Sequence, residues 1–190
     1  MFSQIPNFLT LLRIAASPVL VILLKENSYD LAFLVFLLAG VTDGLDGYIA
    51  KRFNYRSQLG AILDPLADKL LLISAFVMLT LLSKIPFWLL IVVGFRDLLI
   101  IGGYLIIIVL YGSVTVRPSQ VSKLNTVLQL VLVTFIIVNA AGWFSLQLII
   151  DVLIYAVLLT SVVSGVHYAW VWGIRRDFES RESSRNRGID

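Results

Sequence analysis

The chain has 190 residues and a formal net charge of only +3, with 59% hydrophobic and 14% charged residues. Soluble domains average about 45–50% apolar and about 25% charged residues, so this composition excludes an ordinary soluble domain and indicates a membrane protein. The absence of cysteine excludes disulfides and thiolate metal sites.

Six apolar segments follow one another along the chain, and each is long enough to cross a bilayer as a helix of about 20 residues. They cover residues 8–24, 31–50, 61–82, 87–110, 121–142 and 147–172. Short connections with turn residues separate them. We therefore predict an all-α integral membrane protein, a bundle of about six transmembrane helices, with a membrane domain over 1–172 and a polar cytoplasmic tail over 173–190.

The basic residues outside these segments are distributed unevenly between the two sides of the membrane. Six spans put both termini, the 51–60 loop and the 111–119 loop on one side. That side carries Lys51, Arg52, Arg56, Arg117, Arg175, Arg176, Arg181, Arg185 and Arg187. The other side carries Lys25 and Lys84. The positive-inside rule therefore predicts a multi-pass membrane protein with both termini and the 51–60 loop in the cytoplasm.

Four aspartates lie inside the second and third segments, where a charged group costs about 2.5–3.5 kcal/mol. Asp43 and Asp46 are three residues apart, and Asp64 and Asp68 are four apart, so each pair shares one face of its helix. With a rise of about 1.5 Å per residue, Asp43 and Asp68 lie roughly 10–12 Å below the cytosolic end of these antiparallel spans. By the same rise, the other two aspartates lie about 6 Å below it.

Without cations between them, two carboxylate pairs that face each other at the same depth would repel each other, and several of the carboxylates would stay protonated. Oxygen ligands select hard cations such as Mg²⁺, Mn²⁺ or Ca²⁺, and four carboxylates suit two metals better than one. Small residues nearby, among them Gly44, Gly47, Ala50 and Gly60, would admit a bulky polar ligand, although ordinary helix packing also explains them. A metal pair beside Lys51 at the lipid–water boundary indicates phosphoryl-transfer chemistry.

The residues around these aspartates resemble the signature of the CDP-alcohol phosphatidyltransferases. The matching positions are Asp43-x-x-Asp46-Gly47-x-x-Ala50 and Gly60-x-x-x-Asp64-x-x-x-Asp68. Lys51 stands where the family usually has Arg, and a single ammonium replaces a bidentate fork. Ile5-Pro6-Asn7-x-x-Thr10-x-x-Arg13 is similar to the opening of the bacterial phosphatidylglycerophosphate synthases and of the CMP-forming cardiolipin synthases.

The resemblance implies roles for particular residues. Asp43, Asp46, Asp64 and Asp68 would hold two divalent cations, Mg²⁺ or Mn²⁺, and Asp68 would also act as the general base. The residues that would bind the CDP group are Gly47, Ala50, Lys51, Gly60, Asn7 and Thr10. Arg96, Lys123 and Arg56 would bind the acceptor's phosphate. Arg96 has a purely structural alternative, which is to pair with Asp97 or with a carboxylate of the metal site.

The resemblance also implies the reaction and its partners. These partners are CDP-diacylglycerol, a glycerol-phosphate-containing acceptor and the lipid bilayer, and no nucleic acid is expected. The resemblance is also compatible with a homodimer. We expect phosphatidyl transfer to sn-glycerol 3-phosphate, the commoner bacterial activity. The alternative acceptor is phosphatidylglycerol, which Ser122-Lys123-x-Asn125-Thr126-x-x-Gln129 favours because it matches the cardiolipin synthases better. An alternative from another class is an ion transporter, although that would place its ionisable groups near the membrane midplane.

Overall fold

A computed structural model of the chain describes residues 5–53, 58–111 and 119–186, and the side chains of residues 10–42, 67, 69–103 and 119–170. Every secondary-structure element in this part of the chain is an α-helix. The helices are α1 (Ile5–Lys25), α2 (Tyr29–Phe53), α3 (Gln58–Leu81), α4 (Phe87–Tyr111), α5 (Gln120–Ala140) and α6 (Gln147–Asn186). The predicted all-α class is confirmed, and α6 continues without a break into the polar segment that follows residue 172.

Short, defined turns end three of the helices. Asn27 follows α1 with φ 57°, and its N–H donates to the Leu24 carbonyl at 3.1 Å while the Ser28 N–H donates to the Leu23 carbonyl at 2.9 Å. This pair of bonds is a Schellman cap, in which a residue in the left-handed region stops the helix. Ser83 (φ 57°) and Gly142 (φ 78°) occupy the corresponding positions after α3 and α5. The turn after α1 allows α2 to return antiparallel to α1.

The chain forms two compact units, and their boundaries cross α4, α5 and α6. The first unit comprises Met1–Leu90 and Gln129–Ile154. In it, α1 packs against both α2 and α3. Its core consists of aliphatic and aromatic side chains that include Leu20, Leu24, Ala32, Phe36, Ala75, Phe76 and Leu79. In a bilayer, such side chains stabilise helix contacts through van der Waals packing.

The second unit comprises Ile91–Leu128 and Tyr155–Asp190, and its interior is more polar than that of the first. Among the side chains described in this unit, the buried polar and charged ones are Arg96, Asp97, Asn125, Ser161 and Ser164. Polar side chains between helices are typical of helix contacts in membranes, where hydrogen bonds replace part of the apolar packing.

Large apolar side chains cover much of the described surface, among them Leu81, Leu98 and Leu148 with exposed fractions of 73%, 70% and 77%. Soluble monomers rarely expose extensive apolar surface. Among the residues with described side chains, two helices are long and apolar enough to cross a membrane, Gln120–Ala140 and Gln147–Trp170. Two shorter apolar stretches occur at Tyr29–Thr42 and Lys69–Leu81. The predicted number of six transmembrane spans stays a prediction.

Candidate active site

The four aspartates predicted to bind metal lie on two neighbouring helices of the first unit. Asp43 and Asp46 are on α2, and Asp64 and Asp68 are on α3. Each pair falls within one unbroken helix, as the predicted sharing of a helix face requires. Their side chains lie outside the described residues, and among the described side chains no group of three His, Cys, Asp or Glu could hold a metal ion. The metal site therefore stays a prediction.

Most of the residues predicted to bind CDP also have side chains outside the described part of the chain. These residues are Asn7, Gly47, Ala50, Lys51 and Gly60, and the acceptor candidate Arg56 lies outside it as well. Thr10 is described: it lies on α1 and is completely buried. Its predicted contact with CDP stays a prediction.

A cavity of about 280 Å³ opens between α1 and α2, next to the first aspartate pair in sequence. Its walls are formed by Leu12, Arg13, Ala15, Ala16, Val19, Val35, Leu38, Ala39 and Thr42. Two of these residues are polar, Arg13 and Thr42. Arg13 is buried, and the Thr42 hydroxyl donates to the Ala39 carbonyl at 2.9 Å. Thr42 directly precedes Asp43, so the α2 wall of the cavity ends where the predicted metal ligands begin.

Arg96, predicted to contact the acceptor, lies inside a polar cluster of the second unit and is buried. Its Nη1 donates to the Asp97 carboxylate at 2.5 Å in an ion pair. Its Nε and Nη2 donate to the Ser164 hydroxyl of α6 at 3.3 and 3.2 Å. Nη2 also donates to the hydroxyl of Ser122 and, at 3.5 Å, to its carbonyl on α5. All three guanidinium nitrogens therefore have oxygen partners, and the pairing with Asp97 that the sequence left open is present.

The first turn of α5 is held by two further hydrogen bonds. The Ser119 hydroxyl accepts from the Ser122 N–H at 3.2 Å, which is the bond an N-cap serine makes. The Ser119 N–H donates to the Tyr168 hydroxyl of α6 at 3.1 Å. Lys123, the next residue after Ser122, is exposed. The cluster thus anchors the turn that directly precedes one exposed lysine, which is the second predicted acceptor residue.

Comparison with known proteins identifies the family to which the sequence is similar. The sequence matches the CDP-alcohol phosphatidyltransferase family over residues 3–168. This span includes both aspartate pairs, the α1–α2 cavity and the Arg96 cluster. The chain belongs to the CDP-alcohol phosphatidyltransferase family. The resemblance drawn from the aspartate signature is therefore confirmed.

Relatives in two branches of the CDP-alcohol phosphatidyltransferases are similar to the chain. A CDP-diacylglycerol–glycerol-3-phosphate 3-phosphatidyltransferase of Rickettsia bellii is 31% identical over 172 residues, which cover 87% of this chain and 93% of the relative. The human CMP-forming cardiolipin synthase is 39% identical over 145 residues, which cover 68% of this chain and 48% of the relative. The match thus spans about half the length of the human protein and nearly all of the Rickettsia protein.

This member of the family also contains a buried hydroxyl–amide network that the sequence did not predict. The Asn125 side-chain oxygen on α5 accepts from Thr160 at 2.7 Å and from Ser161 at 3.0 Å on α6. Ser164 follows Ser161 by three positions and Thr160 by four, so each of these two hydroxyls lies on the side of α6 that carries Ser164. That spacing of hydroxyls within an apolar span is the signal that could have revealed the face, although not its partner on α5.

Gln129 is one helical turn after Asn125 along α5 and is completely buried. Within the described part of the chain, neither its side-chain nitrogen nor its side-chain oxygen has a hydrogen-bond partner. Asp151, by contrast, is exposed and accepts from the Gln147 amide of its own helix at 3.1 Å.

Proposed function

We propose that this protein transfers a phosphatidyl group from CDP-diacylglycerol to sn-glycerol 3-phosphate, giving phosphatidylglycerol phosphate and CMP. The observation that carries the proposal is the family match over residues 3–168, which includes both aspartate pairs on α2 and α3. Similarity over nearly the whole length of the Rickettsia enzyme supports this acceptor. Family membership also favours a transferase over the ion transporter.

The four aspartates fit a pair of hard divalent cations by their chemistry, because carboxylate oxygens are the ligands that Mg²⁺ and Mn²⁺ prefer. We propose that Asp43, Asp46, Asp64 and Asp68 hold these two cations. When bound, the cations would neutralise the charge of the substrate's pyrophosphate.

In the proposed reaction, the acceptor's hydroxyl oxygen attacks the phosphorus of the phosphatidyl group, and the bond from that phosphorus to the CMP oxygen breaks. The hydroxyl loses its proton, and Asp68 accepts it as general base. Gly47, Ala50, Lys51 and Gly60, with Asn7 and Thr10, are proposed to line the CDP site.

Lys123 and Arg56 are proposed to bind the acceptor's phosphate. Lys123 is exposed at the start of α5, and a lysine ammonium binds phosphate as a point charge. The predicted acceptor contact of Arg96 stays a prediction. Its contacts with Asp97, Ser122 and Ser164 support a positioning role, in which Arg96 fixes the turn of α5 that carries Lys123.

We propose that the protein is embedded in the bacterial inner membrane with six spans, and that both termini and the polar segment 173–190 face the cytoplasm. The exposed apolar side chains and the two long apolar helices support a bilayer environment. The distribution of basic residues between the loops supports the orientation. A homodimer is compatible with this arrangement.

Cardiolipin synthesis with phosphatidylglycerol as the acceptor is the second candidate. Two observations favour it: the 39% identity with the human CMP-forming cardiolipin synthase and the residues Ser122, Asn125 and Gln129 on α5. In both candidates the acceptor contains a phosphate, so the charge of Lys123 does not separate them.

Purified protein with CDP-diacylglycerol, Mg²⁺ or Mn²⁺ and each acceptor separately tests the proposal. We expect CMP release with sn-glycerol 3-phosphate and a phosphatidylglycerol phosphate product. Cardiolipin formed only with phosphatidylglycerol would replace the first candidate by the second. No CMP release with either acceptor would contradict both.

A further inference from the structure

The first turn of α5 is capped differently from a standard capping box. Ser119 is the N-cap, and its hydroxyl accepts from the N–H of Ser122, the third residue of the helix. In a capping box, a glutamate or glutamine at that third position accepts in return from the N–H of the N-cap. Here the third residue is a serine, and its hydroxyl accepts from Nη2 of Arg96 instead. The N–H of Ser119 therefore depends on an acceptor outside α5.

Tyr168 of α6 supplies that acceptor. Its hydroxyl oxygen accepts from the Ser119 N–H at 3.1 Å, and the residue is only 6% exposed. A phenylalanine ring would fill the same buried space, so the hydroxyl is the part that is specific to tyrosine. Trp170, two residues later at the end of the same apolar span, is by contrast 68% exposed. Tyr168 thus differs from an ordinary interfacial aromatic residue, whose polar tip would face water.

Two neighbouring helices thereby fix the same turn of α5. Ser119 and Ser122 are three residues apart, so they lie on the same side of the helix and about 4.5 Å apart along its axis. α6 contacts the first of them through Tyr168, and α4 contacts the second through Arg96. Two contacts at different levels restrict both the rotation and the axial shift of this turn. The next residue is Lys123, which is exposed, so the position of its backbone depends on both contacts.

We propose that Tyr168 is a positioning residue of the acceptor site, and that its hydroxyl holds the start of α5 where Lys123 meets the acceptor's phosphate. This inference rests on the proposed function, because there Lys123 binds that phosphate. A lysine has a long, flexible side chain, and a fixed backbone lowers the entropy that is lost when its ammonium binds a ligand. Tyr168 acts through the backbone of α5 and not by contact with either substrate. Loss of its hydroxyl therefore weakens acceptor binding and leaves donor binding and the chemical step nearly unchanged.

Tyr168→Phe tests this role in steady-state kinetics, because it removes the hydroxyl and keeps the ring. We expect the acceptor KM to rise about three- to tenfold, the factor that corresponds to one hydrogen bond. The donor KM and kcat should stay within about twofold, the pattern of lost ground-state binding. Tyr155→Phe is the matched control, since Tyr155 lies on the same helix and is 66% exposed. Equal rises in both KM values, or a fall in kcat with an unchanged acceptor KM, would overturn the proposal.

A double variant shows whether Tyr168 acts through Lys123. In the background of Lys123→Ala, Tyr168→Phe should raise the acceptor KM no further, because effects on one shared interaction are not additive. Additive effects of the two substitutions would overturn the proposal, since Tyr168 would then act on the acceptor by a separate route.

Amide hydrogen exchange tests the contact itself and requires no turnover. In the full-length protein in lipid nanodiscs, the start of α5 over residues 119–123 should exchange slowly, and Tyr168→Phe should accelerate this exchange about three- to tenfold. Unchanged exchange would overturn the proposal even with a raised acceptor KM, because Tyr168 would then contact the acceptor directly. If Tyr168→Phe does not fold, the wild-type Ser119 amide decides. Protection of that amide supports the proposal, and exchange at the rate of an unstructured peptide overturns it.

Protection of Lys123 from acetylation separates this inference from the proposed function. The acceptor, tested as sn-glycerol 3-phosphate and as phosphatidylglycerol, should slow the acetylation of Lys123 by a water-soluble amine reagent. The half-protecting concentration should be higher in Tyr168→Phe by the same factor as the acceptor KM. Absence of CMP release by the wild-type protein would contradict the proposed function alone, because protection requires no turnover. Absence of protection in the wild-type protein, or equal protection in both proteins, would overturn the inference.

Discussion

Among the described side chains, two arginines are buried within apolar helices, and their surroundings differ. Arg96, in the second unit, is surrounded by the Asp97 carboxylate and the hydroxyls of Ser122 and Ser164. Arg13, in the first unit, lies in the wall of a cavity whose other described lining is aliphatic apart from Thr42. The hydrogen bonds of Arg96 to protein oxygens give the second unit the features of a scaffold. The first unit instead combines an apolar cavity with the two helices that carry the four aspartates.

The largest expected effect tests the scaffold. Arg96→Met leaves the buried Asp97 carboxylate without this cation, and breaking a buried ion pair costs roughly 3–5 kcal/mol. We expect a matching loss in the free energy of unfolding, measured by denaturant titration in detergent. The double variant Arg96→Met, Asp97→Leu should recover much of the loss, because neither charge remains. A stable, inactive Arg96→Met protein with a raised acceptor KM would instead assign Arg96 to the acceptor, as first predicted.

The second effect tests the chemistry of the first unit. Asp68→Asn should lower kcat on the order of 10²-fold or more, the usual scale for a general base, while CDP-diacylglycerol still binds. Asp64→Asn is the comparison, because loss of a ligand should lower metal affinity more than loss of the base does. Metal titration of CMP release gives both quantities. A near-normal kcat for Asp68→Asn would remove it from the role of base.

The sequence predicts the helices well because long apolar segments separated by turns have few alternatives in a membrane. It also identifies the four aspartates as candidate functional residues, because charged groups within apolar membrane helices are energetically costly. It offers Asp97 as a partner of Arg96 but does not predict Ser164, since Ser164 is far from Arg96 along the chain and any hydroxyl-bearing helix could supply that contact. The α1–α2 cavity depends on small side chains, Ala15 and Ala39 among them, meeting across two helices, which no periodicity within one helix reveals.

A smaller effect tests whether Lys123 itself binds the acceptor, as distinct from the Arg96 cluster that positions it. Lys123→Ala should raise the acceptor's KM about tenfold with little change in kcat, the pattern of lost ground-state binding. Unfolding should be unaffected, because the side chain is exposed. Steady-state kinetics with both acceptors measures this, and Lys84→Ala is a control at an exposed lysine outside the site. An unchanged acceptor KM would exclude Lys123 from the acceptor site.

The smallest effects concern two amides on one helix. Gln129 has no partner for its side chain among the described residues, so Gln129→Leu should stabilise the fold or leave it unchanged within about 1 kcal/mol. Asn125→Leu removes the acceptor of the Thr160 and Ser161 hydroxyls and should destabilise it by about 1–3 kcal/mol. Thermal unfolding of the two variants in parallel checks the difference in sign. A large loss for Gln129→Leu would indicate a bound polar partner at that amide.

The central claim is that the carboxylates of α2 and α3 make this protein a metal-dependent CDP-diacylglycerol phosphatidyltransferase. CMP release from CDP-diacylglycerol, measured in EDTA and then after Mg²⁺ or Mn²⁺ is restored, tests it most directly. We predict no CMP release in EDTA, recovery with either cation, and no recovery for Asp43→Asn or Asp64→Asn, because two cations keep the four anions together. Undiminished CMP release in EDTA after prolonged dialysis would contradict the claim.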